Sequence, residues 1–467
     1  MIKVGILSFS DGRDRVHATL RDYIAGYENH VATVLDQTGE VELIRFPDIV
    51  HSNALAREAG AYLDSRQPDV VLFCVPVFSY PNFALISYRM LHAPVMAISP
   101  VNPAYPGMGG LQAATNIITQ TGGECDKLWG NIEEPRHLTR VMAFLRAAHA
   151  ATRLNGQVLG LFGGRSIGMG SGAINPDLWM NLFGVDVDHV DQSEILRRAA
   201  LIDPERATQS RLLLEKKMGG IEYDGGKLTP ENLGMQVRCY LALREIVQEK
   251  GMDFVAVKCH DDLSEHAVTQ CLSAAFFNDP YDWFGEKEPI VYSCEADGDG
   301  ALTMQILKLV SGKPVLFMDF RHYFEEAEAF AFCNCGGAAT WYAGRSACAE
   351  ENLSQVRLCP VIPKYGGRGC HVRYMASAGE MTFARLSRRL NDYTLQVFTG
   401  DFTTLSEDYM QKTCNVWPHG FTRVDADPET LVQRFRSNHI HAVAGDVTAE
   451  LECFCRLKGI AFERIDA

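Results

Sequence analysis

Pro289-Ile290-Val291-Tyr292-Ser293-Cys294-Glu295, continued by Ala296 to Val310 and then by Gly312-Lys313-Pro314-Val315-Leu316-Phe317-Met318-Asp319, is the stretch on which the fold turns. Its two apolar runs read as buried strands, and Gly300 to Val310 reads as a helix with Leu302, Ile306, Leu309 and Val310 on one face. Gly312 stops that helix. A strand, helix, strand unit of this length is expected to be parallel with a right-handed crossover, so Glu295 and Asp319 should emerge at the carboxyl ends of two parallel strands. Neighbouring strands lie roughly 4.8 Å apart. Ligands of open α/β sheets gather at that edge, and two carboxylates held so close repel unless a cation or a shared proton intervenes. A divalent metal is the natural third party.

Outward from this stretch the chain alternates strands and helices. Lys3 to Ser8, Val41 to Phe46, Val70 to Val75 and Val95 to Ile98 read as strands of a first parallel sheet. An amphipathic helix from Pro135 to Leu154 then leads to Asn155-Gly156. A second parallel unit opens with Val158 to Phe162, and its later strands are expected at Val187 to Val190, Phe254 to Val257, Ile290 to Cys294, Val315 to Met318 and Ala329 to Cys333. From about Ala347 the alternation of Met381 to Leu386 and Tyr393 to Gly400 predicts β structure, ending in a βαβ-like tail. The expected architecture is α/β: two Rossmann-like parallel-sheet domains, residues 1–154 and 155–346, followed by a mainly β C-terminal domain, 347–467.

The composition narrows the function. At 467 residues the chain suggests several domains, and 47% hydrophobic with 22% charged residues is the balance of a soluble globular protein. No stretch reaches the roughly 20 apolar residues of a membrane span, and the start reads as a first strand, not a signal peptide, so a cytoplasmic location is expected. A net charge of −14 without a basic stripe argues against nucleic-acid binding. Fourteen cysteines occur without any CxxC pair and read as reduced thiols packing as small hydrophobes.

Three features compete to carry the chemistry. The loop Gly163 to Gly172 follows a strand, but its GxGxG spacing and the absence of a convincing acidic partner favour a tight turn over a nucleotide site. Glu295 and Asp319 have the bland alternative of helix caps or surface ion pairs, with Arg321 close by. His439 and His441 sit in the apolar run His439 to Ala444, and either could add an imidazole to the two acids. Oxygen-rich coordination with one imidazole suits Mn²⁺, and equally admits Mg²⁺, Co²⁺ or Zn²⁺.

The order of short motifs resembles the L-fucose/L-arabinose isomerase superfamily, and more closely its L-fucose isomerase branch. Asp11-Gly12-Arg13 resembles the family's early substrate loop, and Ser166-Ile167-Gly168-Met169-Gly170 with Asp188-His189-Val190-Asp191 resembles its second-domain opening. Glu295 in Cys294-Glu295-Ala296-Asp297 resembles the catalytic, metal-binding glutamate, and Asp319 in Phe317-Met318-Asp319-Phe320-Arg321 the metal-binding aspartate. Trp417-Pro418 resembles a substrate-contacting tryptophan, and Asn438-His439 the pair whose histidine completes the metal site. Two segments depart from the pattern: Cys333-Asn334-Cys335-Gly336-Gly337 stands where the family has a serine-bearing loop, and Lys258-Cys259-His260-Asp261 lacks a glutamine.

The resemblance implies a metal-dependent interconversion of a free, unphosphorylated aldose and its ketose through an enediolate, with Mn²⁺ or another divalent cation held by Glu295, Asp319 and His439. One of Glu295 and Asp319 would move the proton as general base while the other serves mainly as ligand, and Arg13, Tyr365, Trp417 and Asn438 would contact the sugar. It further implies a homo-oligomer, often a hexamer, in which a neighbour's first unit closes a shared active site, with no nucleic-acid or membrane partner. The rival readings are a non-catalytic sugar-binding or sensor protein and a nucleotide-dependent oxidoreductase.

Overall fold

A computed structural model describes residues 1–466, which divide into two compact units. The first comprises Met1–Arg153 together with Ala449–Lys458. Its five-stranded sheet has the order Val41–Arg45, Ile2–Ser8, Val70–Cys74, Val95–Ser99, Asp126–Trp129, with every neighbouring pair parallel. Helices cover both faces, which is why the central strands are apolar throughout rather than alternating. Val70, Leu72 and Cys74 enter one core cluster while Val71 and Phe73 enter the other, as the two-residue period of a strand requires. The edge strand Asp126–Trp129 was not expected from sequence; its Lys127 and Trp129 are exposed, so it carries no apolar signal. Within this unit Arg146 Nη1 donates to Glu450 Oε1 at 2.8 Å and Leu457 packs on the core, so the 449–458 segment belongs to it.

The second unit holds Leu154–Thr448 and the chain from Gly459. A four-stranded parallel sheet, Tyr292–Cys294, Phe254–Val257, Val158–Phe162, Asp186–Val190, lies beside a seven-stranded, largely antiparallel sheet. In the latter the order is Gly379–Arg389, His439–Ala444, Val315–Phe324, Ala329–Cys333, His419–Arg423, Asp392–Phe402 and Ala461–Arg464. Gly379–Arg389 also pairs with Asp392–Phe402, so six of these strands close into a barrel and Ala461–Arg464 adds to the outside of it. Closure removes the exposed edges that an open antiparallel sheet would present.

The mixed α/β architecture with a mainly β C-terminal sheet is the one read from sequence, but two strands change partners. Val315–Phe324 and Ala329–Cys333 were expected in the second parallel sheet; they run antiparallel in the barrel instead. The parallel-crossover rule holds only when both strands join one sheet. Here the helix Gly298–Ser311 links two sheets, and the partner of Val315–Phe324 is the distant His439–Ala444. Glu295 and Asp319 therefore do not sit on adjacent parallel strands. Glu295 ends a strand of the parallel sheet, and Asp319 lies within a barrel strand.

Alternation on the barrel strands sends Met318, Phe332, Ile440, Phe383 and Phe398 into the core, with Phe332 against Phe320, Phe330 and Phe383 at centroid separations of 4.9, 5.5 and 5.2 Å. The opposite face carries Phe317, Asp319, His439 and His441. Phe332→Ala should cost about 3–5 kcal/mol, the scale of an aromatic truncation in a packed core. Urea unfolding followed by circular dichroism would measure it, and a loss below about 1 kcal/mol would contradict the packing described.

Candidate active site

Asp319 and His439 are directly opposed across an antiparallel pair of barrel strands, a placement that holds Cβ atoms roughly 5 Å apart. Both point away from the barrel core. The third member arrives from the parallel sheet: at Glu295 the chain leaves its strand in a left-handed turn, with φ of 59° at Glu295 and 52° at Ala296. Two consecutive non-glycine residues in that region cost about 1–3 kcal/mol each, and such strain concentrates at functional sites. The result places His439 Nε2 3.5 Å from Glu295 Oε2 and 3.5 Å from Asp319 Oδ1.

His439 is held from behind. Its Nδ1 lies 2.6 Å from Asp297 Oδ2, and Asp297 in turn receives Arg385 Nη1 and Nη2 at 2.6 and 3.1 Å. Arg385 Nη1 donates to His441 Nε2 at 3.0 Å, so His441 sits at the back of the site and does not face the two acids. With Nδ1–H committed to a carboxylate, Nε2 is the ring atom free to act as a ligand, and it is buried without a hydrogen-bond partner. That orphaned nitrogen, with two carboxylate oxygens 3.5 Å away, fits a hard divalent cation, whose adjacent ligand atoms stand roughly 3 Å apart. Sequence reading chose His439 over His441 by resemblance; the hydrogen bonds supply a physical reason.

The electrostatics follow from this packing. Burial opposes charge on His439, but Asp297 and Glu295 outweigh it and raise the ring to about 10. Burial also works against the carboxylate of Asp297, yet Arg385 and His439 hold it well below the usual range. Glu295 likewise stays below its ordinary value because His439 offsets its burial. Asp319 is pushed up to about 7 by the protein mass around it, although 28% of its side chain opens into the cleft. A cation there would reverse that shift.

The other oxygen of Glu295 faces a second group of residues. His260 Nε2 lies 3.7 Å from Oε1 and Cys335 Sγ lies 3.8 Å from it. Tyr365 is buried with its hydroxyl 3.3 Å from His260 Nε2. From Tyr365 the wall continues to His371 and on to Trp417, at ring separations of 5.8 and 6.2 Å. Trp417 Nε1 is a buried donor with no partner. Tyr365 and Trp417 thus line one aromatic side approaching Glu295. Asn438 does not join that wall. Its carbonyl accepts from Phe320 N at 3.0 Å, and it lines a cavity of about 500 Å³ with Met169, Asp299 and Arg385. Arg13 belongs to the first unit, where it is 63% exposed and paired with Asp11 at 2.7 Å.

Asp297, Arg385, His260 and Cys335 were not chosen as site residues from sequence. Asp297 had a local signal, an aspartate before Gly298 at a helix start, and its Oδ1 does cap Gly300 N at 2.8 Å. Arg385 had none.

Residues 1–156 match a family model described as the first N-terminal domain of L-fucose isomerase, and residues 332–466 match one described as its C-terminal domain. The chain belongs to the L-fucose isomerase family. A sulfoquinovose isomerase of Alkalicoccus urumqiensis is 22% identical over 412 residues, covering 86% of this chain and 87% of that protein. A sulfoquinovose isomerase of Clostridium sp. (strain MSTE9) is 24% identical, covering 84% and 86% of the two chains. An L-fucose isomerase of Streptococcus pneumoniae is 23% identical over 208 residues, 39% of this chain and 35% of that one. Family membership makes this chain a sugar isomerase that interconverts an aldose and a ketose.

Asp297→Asn should leave Arg385 buried without its countercharge, costing about 3–5 kcal/mol of stability, and should weaken Mn²⁺ binding by about 10–100-fold through loss of the His439 anchor. Denaturant unfolding and Mn²⁺ titration measure the two effects separately. Unchanged Mn²⁺ affinity would show that Asp297 does not orient a ligand.

Proposed function

We propose that this isomerase works through an enediolate on a free monosaccharide, with Glu295, Asp319 and His439 holding a divalent cation, Mn²⁺ being the best match to the donor set. The observation that carries the reading is the unpartnered His439 Nε2 aimed between two carboxylates. When bound, the cation would polarise the sugar's C1 and C2 oxygens and offset the charge that develops between them. The protein's own groups supply the rest.

Glu295 has the geometry of a base. Its Oε2 is turned to His439, while Oε1 is turned to the His260 side and would accept a carbon-bound proton. Asp319, opposite His439 and open to the cleft, would steady the cation and exchange the proton with the adjacent hydroxyl. Trp417 would offer an apolar face to the sugar's C–H surface and its unpaired Nε1–H to a hydroxyl, and the Tyr365 hydroxyl a second polar contact. The buried aromatic side would keep water from the carbanion-like carbon. Arg13 and Asn438 are further hydroxyl contacts in this reading, Arg13 from a neighbouring copy in a homo-oligomer, as the family resemblance implies.

Assaying a panel of aldoses with Mn²⁺ for ketose formation, with L-fucose and sulfoquinovose included because they name the relatives, tests the function directly. Turnover should be lost on chelation and return with Mn²⁺. Glu295→Gln should keep the fold and lower turnover by at least about 100-fold, the scale of losing a general base. Near-wild-type activity in that variant would remove the mechanism. Mixing Arg13→Ala with Glu295→Gln under subunit exchange should restore activity if neighbouring copies complete each other's sites; mixed oligomers that stay inactive would return Arg13 to its own chain.

A further inference from the structure

His260, Cys335 and Glu295 each offer one donor atom, and these atoms all lie within 4.8 Å of one another. The set is softer than the one formed by Glu295, Asp319 and His439, because it brings a thiol and an imidazole to a single carboxylate oxygen. The His260 Nε2 to Glu295 Oε1 distance is 3.7 Å and the Cys335 Sγ to Oε1 distance 3.8 Å. Around a tetrahedral Zn²⁺ with the usual bond lengths, such edges measure roughly 3.3–3.7 Å, so these two edges close with shifts of a few tenths of an ångström, and the third, His260 Nε2 to Cys335 Sγ, lies within 4.8 Å.

The tautomer is also prepared. Ser264 Oγ donates to the carbonyl of Asp261 at 3.1 Å, which leaves its oxygen able to accept from His260 Nδ1, 2.9 Å away. A ring that gives its Nδ1–H to a fixed acceptor presents Nε2 as a ligand, the arrangement that surrounds metal-bound histidines generally. That nitrogen points at the cluster, where the Tyr365 hydroxyl now lies 3.3 Å from it. Cys294 Sγ lies 3.8 Å from Cys335 Sγ, where either thiol can be the donor, and the Cys335 thiol is within donating reach of Glu295 Oε1 at 3.8 Å.

We propose that His260 Nε2, Cys335 Sγ and Glu295 Oε1 form a second cation site, selective for borderline, thiol-seeking ions of the Zn²⁺ type, and that filling it inhibits the enzyme. Glu295 bridges the two sites. The cation would take the Glu295 oxygen turned toward the transferred proton and close His260 and Cys335 over the sugar's approach. Manganese, which prefers oxygen ligands, would keep to the Glu295, Asp319 and His439 side. The inhibitory part rests on Glu295 acting as the base; the binding part does not.

Co²⁺ serves as a spectroscopic probe because a thiolate bound to it absorbs in the near ultraviolet. In phosphine-reduced protein, Co²⁺ titration should give that band in the wild type and lose it in Cys335→Ser and in His260→Gln. Cys294→Ser should keep it, and so should His439→Ala, which removes the other site. A band that persists in Cys335→Ser, or that is lost in Cys294→Ser alone, overturns the assignment. Zn²⁺ added to the Mn²⁺-loaded wild type should lower turnover by at least about 100-fold, the scale of losing a general base. Whatever turnover Cys335→Ser retains should be insensitive to the same Zn²⁺; equal inhibition of the two proteins refutes the inhibitory role. A band without any isomerase activity would sink the proposed mechanism and leave this site standing, whereas Mn²⁺-dependent activity without the band would do the reverse.

Discussion

One buried carboxylate ties the second unit together. Asp297 has no solvent exposure and serves three masters: Gly300 N at the start of the helix Gly298–Ser311, Arg385 on one barrel strand and His439 on another. Each partner alone would be insufficient, because a buried charge is tolerable only when paired and fully hydrogen-bonded. Together they fix the end of the parallel sheet against the outside of the barrel. Close approach is part of the same constraint: a Cβ on Gly300 would come within 2.8 Å of both Asp297 and His441 Nε2, so the helix start must be bare. The interaction that joins the two sheets is thus the one that selects the His439 tautomer.

The division of labour between sheets explains why three side chains from such different places converge. The barrel register supplies Asp319 and His439 as a facing pair, and the register is set by alternation over whole strands, since a slip of one residue would turn both into the core. The parallel sheet supplies Glu295 at a carboxyl end, through a strained turn that is stabilised by Ala296 N donating to Val257 O and Asp297 N to Cys294 O, both at 3.1 Å. Rigid strands carry the pair, and the strained corner carries the carboxylate proposed as the base.

Much of this was legible in the sequence, and the part that was not has a common cause. Apolar runs bounded by turn residues gave the strands of both parallel sheets except the edge strand Asp126–Trp129, and Gly312 marked the end of the helix before Asp319 correctly. The partner of Val315–Phe324 was missed because strand pairing between distant segments leaves no local trace; the run of Val315 to Met318 is as apolar as a parallel strand, and only its antiparallel neighbours distinguish it. Arg385 was invisible for the same reason, lying 88 residues from the carboxylate it neutralises. His260 and Cys335 were seen as departures from a family pattern, but spacing along the chain could not show that both depart toward the same oxygen of Glu295. Left-handed φ at Glu295 and Ala296 contradicts their residue types, and sequence rules fail there as they should at a strained functional corner.

In the proposed mechanism Glu295 reconciles two demands that usually conflict. A ligand must be held, and a base must keep an oxygen free. The left-handed turn removes most of the backbone freedom, so holding does not depend on hydrogen bonds to both oxygens. With Oε2 3.5 Å from His439 Nε2, Oε1 has only the His260 ring at 3.7 Å and a long hydrogen bond from the Cys335 thiol at 3.8 Å. The same looseness that leaves Oε1 available for a proton leaves it available for a cation, and the imidazole and thiol beside it decide which kind of cation that is. The susceptibility inferred for this chain rests on His260 and Cys335, the two side chains that flank that oxygen.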